Sequence, residues 1–100
     1  MLAPSQAFFT AEEWTAIRTA LGLSPRESDV VLGLLAGETE GDNAARLGIS
    51  AHTVHCHVSR LHRKLNVQSK SDLLLRVFGT YLSLTRIRLD RRLPAQATPE

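Results

Sequence analysis

One hundred residues with 43% apolar content, five aromatic side chains and a single cysteine make one small domain, with a mainly aliphatic core and no internal disulfide. Net charge is only +2, but residues 1–50 hold three Arg against seven acids while residues 51–100 hold nine Lys/Arg against three acids, the asymmetry expected when one face meets a polyanion. Met1-Leu2-Ala3-Pro4-Ser5 has neither the basic start nor the apolar run of a signal peptide, and no stretch reaches the roughly 18 apolar residues of a membrane span, so the expectation is a cytoplasmic protein without a membrane partner.

In chain order, residues 1–9 read as frayed. Thr10-Ala11-Glu12-Glu13 is a capping box that opens a helix running to Leu21, with Trp14, Ile17 and Leu21 on one face and Gly22 as its stop. Ser24-Pro25-Arg26-Glu27 combines an N-cap serine, proline at the first helical position and glutamate at the third. The helix it opens buries Val30, Val31, Leu34 and Leu35 and ends at Gly37. Thr39-Glu40-Gly41-Asp42 caps a short helix through Leu47, closed by Gly48, with Ala44, Leu47 and Asn43 on its inner face. Ser50 caps a longer helix over residues 51–65, and Asn66 is one of the few non-glycine residues suited to a left-handed end. Ser69-Lys70-Ser71-Asp72 starts the last clear helix. Beyond Leu82, the residues Leu84, Ile87 and Leu89 alternate partly like a strand, but continuation of the helix is the favoured reading. The tail from Leu93, with Pro94 and Pro99, reads as frayed. The fold class is all-α.

The functional signal lies between Thr39 and Leu65. Two helices joined by Leu47-Gly48-Ile49-Ser50 have the spacing of a helix-turn-helix, in which the second helix lies in the groove and the first braces it. At about 100° per residue, Val54, Val58, Leu61 and Leu65 fall in one sector of the second helix. The opposite side holds His52, Cys56, Ser59 and Arg63, flanked by His55 and Arg60. From His52 to Lys64 there is no Asp or Glu, as suits a surface laid against phosphates.

Leu23-Ser24-Pro25-Arg26-Glu27, Leu47-Gly48-Ile49-Ser50, Thr53-Val54, His57, Lys64-Leu65 and Val67 together resemble the LuxR-type (GerE-like) DNA-binding domain, without gaps from Leu23 to about Leu74. The resemblance implies a four-helix domain at residues 23–82 that acts as a transcriptional regulator. An N-terminal extension at 1–22 carries one short helix, and a basic, partly disordered extension fills 83–100. It implies base-edge contacts from His55, Cys56 and Ser59, and phosphate contacts from Thr53, Arg60, Arg63 and Lys64. It also implies a homodimer on double-stranded DNA through the last helix, at Leu74, Val77, Phe78 and Tyr81. Burial of that helix against Trp14 and Ile17 is the competing reading of the same apolar residues. Arg86, Arg88, Arg91 and Arg92 either add phosphate contacts or form a solvated tail.

Three departures from the family's pattern stand out. His55 occupies a position that is usually Lys or Arg, and Asn43 one that is usually apolar. Glu38, Glu40 and Asp42 occupy positions usually neutral or basic. Those three acids either weaken DNA binding or form a docking patch for a regulatory protein partner, which leaves an interaction module as the alternative function. A sigma-factor promoter-reading domain and a metal- or redox-sensing regulator using Cys56 are further rivals. His52, His55, Cys56, His57 and His62 hint at a metal cluster, but no second group completes a tetrahedral site, so neither metal nor cofactor is expected. His57 is expected to pack beside the core. No paired carboxylates, phosphate-cradling loop or triad supports an enzyme. The chain has no room for the receiver or ligand-binding domain that usually precedes this module. Regulation then comes from abundance or a partner, or the chain is a piece of a longer protein.

Overall fold

The computed structural model describes residues 8–92, with side chains described as far as Ile87. Among these residues there are five α-helices and no strand: α1 (Ala11–Leu21), α2 (Pro25–Leu35), α3 (Glu40–Leu47), α4 (Ala51–Leu65) and α5 (Lys70–Arg92). The tail from Leu93 and the side chains of Arg88, Leu89, Arg91 and Arg92 lie outside the described residues.

Local chemistry accounts for the helix ends. The Thr10 N–H donates to Glu13 Oε1 at 2.8 Å while the Glu13 N–H donates to Thr10 Oγ1 at 3.0 Å. The same reciprocal pair forms at Ser24 and Glu27 and at Thr39 and Asp42. Each N-cap stabilises its helix by about 0.5–2 kcal/mol relative to alanine. Asn66 closes α4 in the left-handed region at φ 55°. Past Leu82, α5 continues without a break to Arg92, so the strand-like alternation there is overridden.

The core gathers Val30, Val31, Leu34 and Leu35 of α2, Val54, Val58, Leu61 and Leu65 of α4, and Leu73 and Val77 of α5. Residues at the N-terminal end seal one side of it. Phe9 was expected to lie in a frayed segment but is buried, because Trp14, Phe78 and Tyr81 surround its ring at centroid distances of 6.2, 5.4 and 5.1 Å. Trp14 and Ile17 are buried as well, and α1 packs along α5. The Trp14 indole N–H donates to Ser28 Oγ at 2.8 Å, which satisfies two buried polar groups at once and ties α1 to α2.

A polar joint holds α3 on α2. Asn43 is wholly buried, and its amide donates to the Val30 carbonyl at 3.0 Å. Arg46 donates to Glu38 at 2.9 Å and to the Asp29 carbonyl at 2.8 Å. All three polar side chains crowd the position a side chain on Gly33 would occupy: an added Cβ would lie 2.6 Å from Asn43 Nδ2 and 2.6 Å from Arg46 Nη2. A glycine in the middle of α2 therefore permits the approach of α3.

Candidate nucleic-acid interface

The turn between α3 and α4 fixes how α4 is presented. Gly48 adopts φ 69°, a left-handed conformation that disfavours side chains, and the Ile49 N–H returns to the Ala44 carbonyl at 3.1 Å. Ile49 sits half-buried against the core. Ser50 then caps α4, accepting the Thr53 N–H at 3.0 Å, and its hydroxyl lies 2.8 Å from that of Thr53.

With Val54, Val58, Leu61 and Leu65 inside, the opposite side of α4 faces outward. His52, Thr53, His55, Arg60 and Arg63 are exposed, and Cys56 and Ser59 are half-exposed. The residues expected to meet base edges and most of those expected to meet phosphates thus share one surface. Among the described residues, neither Arg60 nor Arg63 has a carboxylate partner. Cys56 Sγ lies 3.6 Å from His52 Nε2, one turn back on the same helix. His57 is half-buried beside the core stripe. His62 is turned inward, and its Nε2 is buried without a hydrogen-bond partner among the described residues.

Lys64 differs from the other cations. Its ammonium is held 2.8 Å from Glu27 Oε1, bridging the last turn of α4 to the first turn of α2. Burial works to raise the pKa of the Glu27 carboxyl. The Lys64 hydrogen bond, the Ser24 N–H and hydroxyl and the Lys64 charge together outweigh burial and hold it below the ordinary glutamate value.

The three acids near the turn are all engaged within the chain. Glu38 pairs with Arg46, Asp42 completes the α3 capping box, and Glu40 lies 3.3 Å from His55 Nδ1. Among the described residues only Glu38 has a lysine or arginine partner, and Glu40 is the acid of the three that reaches an α4 side chain. Sequence reasoning missed the partners of Glu38 and Glu40, while Asp42 sits in the Thr39 cap it had read. It also missed Arg46, whose one available signal was a lone cation on an otherwise acidic helix. Among the described residues, no three His, Cys, Asp or Glu side chains are grouped so as to hold a metal ion.

The residues expected at the dimer seam fall in different environments. Val77 is wholly buried within the chain, so its side chain is unavailable to a second copy. Phe78 packs edge-on to Phe8 and against Phe9, and the Tyr81 hydroxyl donates to Glu13 Oε2 at 3.1 Å. Leu74, Phe78 and Tyr81 are half-buried against the core, while Leu75, Leu82 and Ile87 project from α5 as exposed apolar side chains. A shallow groove beside them is lined by Leu21, Leu75, Gly79 and Leu84.

A short bracing helix, a glycine turn and an amphipathic second helix with an acid-free outer face define a helix-turn-helix protein. The family model described as bacterial regulatory proteins, luxR family, matches residues 21–77, more than half of the chain. The chain belongs to the LuxR family of bacterial regulatory proteins, whose helix-turn-helix domains bind DNA and which are regulators rather than enzymes. Searches of the curated proteins and of the solved structures found no match. No helix among the described residues is long and apolar enough to cross a membrane.

Proposed function

We propose that this chain is a sequence-specific transcription regulator that inserts α4 into the major groove of double-stranded DNA. The observation that carries this reading is the outward face of α4. It exposes Arg60 and Arg63 without carboxylate partners among the described residues, beside His55, Cys56 and Ser59, with no acid from His52 to Lys64. His55, Cys56 and Ser59 meet base edges, and Thr53, Arg60 and Arg63 meet phosphates and set the register. Lys64 keeps ammonium donors beyond the one given to Glu27 and adds to the phosphate set.

Two copies act together through α5. Leu75, Leu82 and Ile87, with the exposed parts of Leu74, Phe78 and Tyr81, supply the seam, and two-fold symmetry makes the target roughly palindromic. The working compartment is the cytoplasm, where DNA is reached without crossing a membrane. Pairing of Glu38 with Arg46 takes one of the three acids out of the patch that favours an interaction module.

Binding to a pool of random duplexes across a salt series tests the reading. The logarithm of affinity should fall linearly with the logarithm of salt, and Arg63→Ala should reduce the slope by about 0.9 for each copy bound. Ser59→Ala should change the preferred sequence while leaving the slope intact. A parent protein that retains no duplex at low salt refutes the proposal.

A further inference from the structure

His55 and Glu40 face each other across the helix-turn-helix, from α4 and from the first turn of α3. His55 Nδ1 lies 3.3 Å from Glu40 Oε1 and 3.4 Å from Oε2, centred on the carboxylate. An ionised carboxylate only accepts hydrogen bonds, so the ring nitrogen facing it must carry a proton. In a neutral imidazole, Nε2 then holds the lone pair. Nε2 lies on the far side of the ring from Glu40 and has no hydrogen-bond partner among the described residues. The His55 side chain is 63% exposed on the outer face of α4. Glu40 is the charged group that α3 sets against it, and His52 and Ser59 lie one turn away on its own helix.

We infer that Glu40 is a positioning residue that fixes His55 in the Nδ1–H tautomer, so that His55 offers the groove an acceptor. Such a group selects a base edge with an exocyclic amino donor, adenine N6 or cytosine N4. A lysine or arginine at the same place would select the acceptors of guanine instead. The inference rests on the DNA-binding reading above and adds to it the class of base that His55 reads.

Two measurements at pH 8 decide it. In the free protein, nitrogen NMR of the imidazole should show His55 protonated at Nδ1, with Glu40→Ala shifting it towards the Nε2–H form. In selection from random duplexes, the parent should enrich adenine or cytosine at one position. His55→Ala and Glu40→Ala should each lower that enrichment about fivefold, the effect of one hydrogen bond. Glu40→Gln, whose amide oxygen can accept the same proton, should retain part of it. An Nε2–H ring in the parent, or enrichment that survives Glu40→Ala, overturns the inference. Failure of the parent to retain any duplex sinks the DNA reading and the base selection with it. The NMR spectrum of the free protein still decides the tautomer in that event.

Discussion

Replacing Ser28 by alanine removes one oxygen, yet it should destabilise the protein measurably. Ser28 and Trp14 are 6% and 5% exposed, and the indole N–H has Ser28 Oγ as its partner at 2.8 Å. Loss of the acceptor leaves a buried donor without a partner, at a cost of about 1–3 kcal/mol. Better helix propensity at an interior α2 position returns up to about 0.5 kcal/mol. The net loss of about 0.5–3 kcal/mol corresponds to a fall in Tm on the order of 2–24 °C for a domain of this size. Urea and thermal unfolding of the parent, Ser28→Ala, Trp14→Phe and the double variant complete a cycle. In the Trp14→Phe background there is no donor to orphan, so Ser28→Ala should there be neutral or slightly stabilising. An equal cost in both backgrounds would refute the argument, because the loss would then owe nothing to the indole hydrogen bond. DNA binding below the melting temperature should be unchanged, since neither residue lies on the outer face of α4.

Gly33→Ala should also destabilise, against the helix-propensity expectation that alanine gains about 1 kcal/mol over glycine inside a helix. The added methyl would crowd Asn43 Nδ2 and Arg46 Nη2 at 2.6 Å each and displace the joint between α2 and α3; a raised Tm would contradict this. Glu27 predicts a pH effect. The fold holds its carboxyl below the unfolded value, so the unfolded chain binds this proton more readily as pH falls. The stabilisation is full above the unfolded glutamate range and is lost as pH falls through that range towards the folded value. Urea midpoints at pH 6 and pH 3.5 should therefore differ less in Glu27→Gln than in the parent, and an equal difference would show that the Lys64 pair contributes nothing.

Much of the fold is legible along the chain because helix boundaries are local events. The capping boxes at Thr10, Ser24 and Thr39 join residues three apart, and Gly22, Gly48 and Asn66 end helices through their own backbone preferences. The inner stripe of α4 and its acid-free outer face follow from helical periodicity alone, and with them the candidate groove surface.

Tertiary structure decided which polar groups meet. Lys64 finds Glu27 across 37 positions, Arg46 reaches Asp29 across 17, and Trp14 reaches Ser28 across 14. Glu40 finds His55 across 15 positions, and the Tyr81 hydroxyl reaches Glu13 across 68. Helical periodicity relates residues a few positions apart and is silent about partners on another helix. Glu38 and Glu40 therefore read as free along the chain, although each has a contact on another part of the fold. The same limit hid the fate of Val77: apolar periodicity marks a side chain for burial, but only the docking of the other helices determines whether the chain itself or a second copy covers it.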